Sequence, residues 1–422
     1  MSALSSPCQP RLIIELQSCL RESRVTFVTV FIECCHTIAI FDCYPPLMAD
    51  ALILSGSAAV LLYSLHLASI FLSTRFVTRT GETGLRYDGG VTLVRPVCGI
   101  DFDAERTLRS SFGQVGVDLE VLFCVADERD PVVPLVRRLI EEHSQVDARL
   151  LIGESFISRN PKLNNMAKGW GEARHDTVVF ADSNLLLTPD YCLRVRDAFE
   201  PDICVVSSPP VGSDPVGFWG EVECAMLNTH AARWQYAAAA LDLGFAQGKT
   251  LAFRKSRSPI NLMRLLGEEP AEDAAATKVA RARKEHVRLI APPFSHPVGP
   301  RTAAMVWKRH SRWAKLRRAT FPVMFASEIL TGIVPAQIAL TSVFWSLGWS
   351  LFPSLLLGPL LWYVPEALMA RQLGWVFGPL SPFAWLLRDC LTPLFYMSAW
   401  ASDDFVWNGH KMSGSKPPRE AF

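Results

Sequence analysis

Across residues 51–74 no side chain carries a charge except, when protonated, His66. No other feature restricts the fold of this chain as strongly. Twenty-four residues rising about 1.5 Å each exceed the roughly 30 Å hydrocarbon core of a bilayer. The stretch therefore reads as a transmembrane helix, over residues 48–75, rather than as a helix of a soluble core. Arg75, Arg79 and Arg86 follow it. By the positive-inside rule the segment after them is cytoplasmic and the amino terminus faces outward.

Apolar character returns at the other end. Residues 321–347 and 350–368 read as spans, the first carrying Glu328 and the second Glu366 near its end. An acid in a span is expensive, so it is functional, paired or at the interface. Residues 385–400 are interrupted by Arg388 and Asp389, which pair within a bundle or lie at the interface. Residues 320–402 form one membrane region on this reading. Residues 403–422, with Lys411, Lys416 and Arg419, read as a basic, disordered, cytoplasmic tail. Residues 1–47 lack a clear period, hold five of the eleven cysteines and show no signal-peptide layout. The expectation is a dispensable extension before a natural start at Met48. The cysteines show no CxxC and no Cys/His zinc pattern, so free, mostly buried thiols are expected. A net charge of +1 argues against nucleic acid as a partner.

Between the apolar ends, residues 88–318 read as an α/β domain. Strands are predicted over residues 91–97, 119–126, 148–152 and 177–181. Helices are predicted between them, over 104–112, 132–143 and 161–173. This alternation implies βαβ units and a parallel sheet. There is no GxGxxG and no GxxxxGK[ST], which disfavours a dinucleotide site or a P-loop. Two predicted strands end in acid: one runs into Asp127, the other into Asp182-Ser183-Asn184. Ligands of open α/β sheets bind at the carboxyl ends of the strands. A carboxylate there suits a hard metal ion carrying a diphosphate, and it equally suits the start of a turn. Further on, Glu272 and Asp273 precede a helical run over 274–284. They serve either as helix-start acids or as a general base aimed at the sheet edge. Trp307, Lys308, Arg309, His310, Arg312 and Trp313 form a basic, aromatic run before the next span.

Taken together these residues resemble the ceramide glucosyltransferase family over about residues 48–409. The ordered signature is three separated acids and a (Gln/Arg)-x-x-Arg-Trp box. It matches Asp127, Asp182, Asp273 and Arg309-x-x-Arg312-Trp313. Local matches include Asn160-Pro161-Lys162-Leu163-Asn164-Asn165. The resemblance implies a Rossmann-like, mostly parallel glycosyltransferase-A domain flanked by membrane helices. It implies a UDP-sugar donor, a lipid acceptor such as ceramide, and Mg2+ or Mn2+. Asp127, Lys162, Asn165 and Asp182 would bind donor, with Asp182 on the metal. Asp273 would be the base of an inverting transfer. Arg309, Arg312 and Trp313 would neutralise the leaving UDP and shape the entrance. His230 falls where the family has a functionally sensitive histidine, and His296 where related folds supply a metal ligand. One departure is the single carboxylate of Asp182-Ser183-Asn184, where related enzymes often use Asp-x-Asp. Another is the stretch over residues 245–268, including Gln247-Gly248-Lys249-Thr250, which matches poorly. Diacylglycerol or a hopanoid alcohol would need the same site and a different lipid groove. A catalytically dead lipid-binding scaffold is the alternative of another class. The implied location is an integral membrane protein, in the plasma membrane of a bacterium or the Golgi of a eukaryote.

Overall fold

A computed structural model describes residues 46–79, 88–407 and 410–413. Residues 1–45 of the extension expected over 1–47, the expected role of Arg86 and the end of the tail lie outside the described residues.

Strand β1 (Val91–Pro96) is fully buried and pairs in parallel with β2 (Leu119–Val125) on one side and β4 (Thr177–Ala181) on the other. Strand β3 (Asp147–Ile152) extends the sheet beyond β2. Helices α2 (Ala104–Arg109), α3 (Val133–Glu142) and α4 (Pro161–Glu172) connect these strands. After β4 come α5 (Tyr191–Asp197), β5 (Ile203–Ser207) and β6 (Val211–Val216). Alternate residues of each strand face opposite layers. Val94, Leu122, Val178 and Phe180 pack with Leu163 and Met166 of α4. Leu93, Val121, Phe123 and Val179 pack with Val136 and Leu139 of α3 and Tyr191 of α5. Two covered faces explain why the strands read as continuous apolar runs. Gly169 lets α4 sit close, since a Cβ there would lie 2.4 Å from Val94 Cγ1.

The second half departs from simple alternation. After β6 come α6 (Gly217–Ala225), a π-helical stretch (Met226–Ala232) and α7 (Arg233–Ala239). Strand β7 (Thr250–Arg254) then enters antiparallel between β4 and β5. Helices α8 (Leu262–Leu266) and α9 (Glu272–Ala282) precede β8 (His286–Leu289), which closes the order β3-β2-β1-β4-β7-β5-β8. Strand β9 (Ser295–Pro300) pairs in parallel with β6 as a separate two-stranded sheet. This is the mostly parallel, Rossmann-like α/β class expected from the glycosyltransferase-A resemblance.

Helix α1 (Pro46–Arg79) precedes the sheet, and α10 (Ala303–Thr320) leads away from it. Helices α11 (Pro322–Ser327), α12 (Ile333–Ser346), α13 (Phe352–Gln372) and α14 (Ser381–Ala401) follow. Among the described residues two helical stretches, Ala49–Arg79 and Phe352–Gln372, are long and apolar enough to cross a membrane. The span expected over residues 321–347 is instead broken and bent by 47° before α12. Glu328 lies at that break, where Arg317 donates to it at 2.7 and 2.9 Å. Glu366 is fully buried rather than interfacial. It pairs with Arg388, which also pairs with Asp389 at 2.8 Å and donates to Thr229 of the π-helical stretch. Of the two arrangements open for Arg388 and Asp389, the chain adopts pairing inside the bundle.

The tail is not wholly without structure: β10 (Asp404–Trp407) and β11 (His410–Ser413) pair antiparallel. Phe405, Val406 and Trp407 are residue types that favour strands, which corrects the expectation of disorder there. The six described cysteines are free, and four are buried.

Candidate active site

Asp127 follows β2, Asp182 follows β4, and β1 lies between those strands. Parallel pairing therefore delivers both acids to the same sheet edge. They differ in surroundings. Asp127 is exposed and bound to its neighbour Arg129 at 2.7 Å, whose side-chain and backbone hydrogen bonds hold the carboxyl down to about 2. Asp182 keeps 24% of its side chain exposed and lies between two ammonium groups. Lys162 Nζ is 2.7 Å from one carboxylate oxygen and Lys249 Nζ is 3.2 Å from the other. Burial alone would raise the Asp182 carboxyl, but the two lysines hold it well below the ordinary range.

Local structure explains how these groups converge. Asn160 caps α4 by accepting from the backbone N–H groups of Lys162 and Leu163. Pro161 fixes the first helical position. Lys162 thus leaves the first turn of α4 and reaches Glu272 Oε1 at 2.7 Å and the Gly248 carbonyl at 2.6 Å. The other Glu272 oxygen accepts from Asn160 Nδ2 at 2.7 Å. Glu272 and Asp273 occupy the first turn of α9, where the helix dipole favours acids. Asp273 accepts from the Gly248 N–H at 2.9 Å and from the Ala274 N–H at 2.7 Å. Burial first, and the charge of Glu272 second, push its carboxyl up to about 6. Gly248 lets the cluster close in: a Cβ there would lie 2.9 Å from Glu272 Oε1 and 3.0 Å from Lys162 Nζ, and those side-chain ends would have to shift.

A second layer adjoins this cluster. Lys249 also donates to Asn184 Oδ1, and Asn184 Nδ2 donates to Asp101 at 2.7 Å. His296 Nδ1 is 2.9 Å from the Asn184 carbonyl and must donate to it. Its Nε2 is then a bare lone pair, buried without a hydrogen-bond partner among the described residues. Burial and then the charge of Lys249 push His296 down to about 3, so the ring is neutral. Arg309 on α10 binds the fully buried Glu223 at 2.6 Å, and His310 binds the other oxygen at 3.2 Å. Burial and then the charge of Arg309 lower Arg312 to about 10. Trp313 packs with Cys224, Leu227 and Val298 and meets His310 edge to face at 5.2 Å.

The residues singled out from sequence separate into groups. Lys162 and Asp182 meet directly, and Asp273 adjoins them through Gly248 and its neighbour Glu272. His296 and Arg309 adjoin them through Lys249, whose charge acts on His296 and which itself feels Arg309. Asn165 is buried on α4 with its Oδ1 unpartnered among the described residues. His230 points elsewhere: its Nε2 is 3.1 Å from Thr331 Oγ1, at the turn before α12, beside the membrane helices. Sequence reasoning missed Lys249, Asn184, Asp101 and Glu223, and it held Glu272 only in reserve. Lys249 lay in the stretch that matched the family poorly. It belongs here because β7 pairs antiparallel with β4, setting Thr250 opposite Ala181 and Lys249 beside Asp182. Glu223 left a fainter signal, one of two acids in a mostly apolar helix segment.

A divalent cation carrying a diphosphate takes few protein ligands and draws the rest from phosphate and water. Among the described residues no three His, Cys, Asp or Glu side chains cluster as a full metal cage. The orphaned His296 Nε2 and the Asp182 carboxylate are donors of the types such a shared ion takes, and both Asp182 oxygens contact lysine ammoniums here.

The model of glycosyl transferase family 21 matches residues 53–418. Ceramide glucosyltransferase 1 of Caenorhabditis elegans is 27% identical over 369 residues, covering 85% of this chain and 79% of the relative. Ceramide glucosyltransferase of Candida albicans is 41% identical over 108 residues, covering 23% of this chain and 20% of the relative. Among solved structures, a mannosyltransferase from Pyrobaculum calidifontis in complex with GDP-Man and Mn2+ superposes with a TM-score of 0.47 at 18% identity. It covers 82% of this chain and 97% of its own.

Proposed function

The chain belongs to glycosyl transferase family 21, and from that premise we propose that it transfers a sugar from a UDP-sugar to the hydroxyl of a membrane lipid. The finer reading is glucose to ceramide, supported by the names of the relatives. The observation that carries the chemistry is Asp273. It is a half-buried carboxylate with a raised pKa that accepts from two backbone N–H groups, beside an acid and lysine cluster at the carboxyl edge of the sheet. A general base works best with a pKa near the working pH. Glu272, by contrast, is held by Lys162 and Asn160.

In the proposed reaction Asp273 takes the proton of the acceptor hydroxyl. The acceptor oxygen bonds to the anomeric carbon as the bond to the diphosphate breaks, and UDP leaves with the electron pair. One displacement inverts the centre and needs no enzyme nucleophile. Lys162 and Lys249 place positive charge beside Asp182, and Arg309 adds more from α10. A Mg2+ or Mn2+ ion held by Asp182 and His296 would supply further neutralisation of the diphosphate. Asp127 is assigned to the uridine side, Asn165 to the donor, Arg312 and Trp313 to the entrance. His230 is assigned to the acceptor side, in keeping with its place beside the membrane helices.

Residues 88–318 make up the proposed catalytic region, on the cytoplasmic face. Cys98 is exposed whereas Cys124 and Cys224 are buried, so Cys98 is the reporter of sidedness. A membrane-impermeant thiol reagent should label it only after permeabilisation. The test of function is to incubate membranes holding the protein with UDP-sugars and with ceramide, diacylglycerol or a hopanoid alcohol, then identify products by mass spectrometry. Glucosylceramide is the expected product. A product on another lipid overturns the acceptor alone. No product and no UDP binding would leave a dead scaffold.

A further inference from the structure

Arg301, between β9 and α10, is less engaged than Lys162, Lys249 and Arg309. Its Nε and Nη2 are buried and have no hydrogen-bond partner among the described residues, and its Nη1 has only a long 3.4 Å contact to the adjacent Pro300 carbonyl. Burial first, and the charge of Arg309 second, lower its pKa. The nearby acids are already engaged. Glu223 accepts from Arg309 and His310, and Asp101 accepts from Asn184 and from the backbone of Phe102. Lys249 and Arg301 both act electrostatically on Asp101, and Arg309 acts on both. Three cations are thus gathered where the local carboxylates do not satisfy the donors of one of them. Buried donors without partners are rare and demand an explanation. Guanidinium forks match phosphate oxygens, and charge-assisted bonds to them are among the strongest.

We infer that Arg301 and Lys249, with Arg309, form a cationic cradle of the protein's own making for the diphosphate of the donor. The inference rests on the glycosyl-transfer reading above and goes beyond it. It names two residues outside the recognised signature and gives the site an affinity for diphosphate that does not wait for a divalent ion. Lys249 is placed for this by its contact with Asp182, and Arg301 by the two donors it holds in reserve.

The test uses the full chain in phosphatidylcholine nanodiscs, with UDP, uridine and inorganic pyrophosphate as probes. Binding is measured by calorimetry in EDTA and again with Mn2+. In EDTA the parent should bind UDP at least about tenfold more tightly than uridine, the gain expected of one charge-assisted bond. Arg301→Gln and Lys249→Met should each cut UDP affinity in EDTA about tenfold and leave uridine affinity unchanged, which also shows that the variants are folded. Arg301→Lys should recover part of the loss. Pyrophosphate should compete with UDP in the parent and not in the variants. If the parent in EDTA does not distinguish UDP from uridine, or both variants bind UDP as the parent does, the cradle is overturned and the glycosyl-transfer reading stands. If neither nucleoside nor nucleotide binds even with Mn2+, that reading falls and the cradle with it. Replacing part of the phosphatidylcholine with an anionic lipid tests the other source of phosphate. Weaker UDP binding in those discs, lost in Arg301→Gln, would assign Arg301 to a headgroup and overturn its place in the cradle.

Discussion

Two ion clusters in this protein, one fully buried and one half-buried, are built alike and finished differently. In the helical bundle Arg388 is fully buried against Glu366, Asp389 and Thr229, and Asp389 also accepts from Tyr363 at 3.0 Å. At the sheet edge Asp182, Lys162 and Glu272 are as tightly joined, but their surroundings leave His296 Nε2, two nitrogens of Arg301 and Asn165 Oδ1 without partners. A closed network fixes how helices pack. An open one, with one acid raised toward neutrality, is a site short of its ligand. Access separates the two as well: Arg388, Glu366 and Asp389 are fully buried, whereas Asp182 and Lys162 keep 24% and 17% of their side chains exposed, and beside the bundle cluster only one nitrogen of Arg233 is left without a partner among the described residues that touch Thr229.

The comparison breaks most visibly at Asp182. Asp182→Ala should take turnover below detection and weaken UDP-sugar binding. It should cost little stability, because Lys162 keeps Glu272 and the Gly248 carbonyl, and Lys249 keeps Asn184. Product formation, donor affinity and melting temperature measured on one preparation check this. A large loss of stability with the donor affinity intact would move Asp182 into the structural class.

Next is Asp273→Asn, which should retain UDP-sugar binding and lose kcat by roughly 10²–10⁴-fold, the contribution of a positioned base. The structure adds a control. Both carboxylate oxygens accept backbone N–H groups, so the amide sets its own NH2 against one of them and costs about 1–3 kcal/mol of stability. Rates therefore have to be expressed per folded molecule. A variant turning over near the parent rate would hand the base role to Glu272.

The closed network should fail the other way. Arg388→Met leaves Glu366 and Asp389 buried without their cation and should cost about 3–5 kcal/mol. Adding Glu366→Gln and Asp389→Asn should recover much of that. Turnover per folded molecule should stay near the parent value. A specific loss of kcat with normal stability would mean that the bundle takes part in the reaction.

How much of this was legible follows from how each feature is encoded. Strands β1 to β4 and helix α4 are local patterns, so apolar runs and the Asn160-Pro161 start placed them within a residue or two. The acids at the strand ends followed from parallel order alone. Lys249 did not, because its place depends on β7 crossing antiparallel between β4 and β5, a pairing across some 70 residues with no local period. The break before α12 was hidden for a similar reason: hydropathy sees an apolar run, while Arg317 holding Glu328 is a contact in space. Glu223 went unnoticed in the sequence because its role depends on α10 setting Arg309 and His310 against it.

The smallest expected effect is one of pH, and it tests the open cluster by titration. Asp273 must be ionised to accept a proton, and its carboxyl is pushed up to about 6. Above that value the base is charged and kcat/KM should be level. Below it the charged fraction falls about tenfold per unit, so the rate at pH 5 should be about a tenth of the plateau. The groups facing Asp273 are Glu272, Lys162 and the N–H groups of Gly248 and Ala274. Lys162 is held above the ordinary lysine range by Asp182 and Glu272 against the effect of burial, so it stays charged throughout. Asp182 stays ionised because its own carboxyl is held well below the usual range, and His296 stays neutral with its pKa near 3. Affinity for an intact UDP-sugar, whose diphosphate is already fully ionised, should therefore be flat from pH 7 to 5 while kcat falls. A flat kcat across that window, or a fall matched by lost donor affinity, would place the titrating group outside the acceptor's proton path and remove Asp273 as the base.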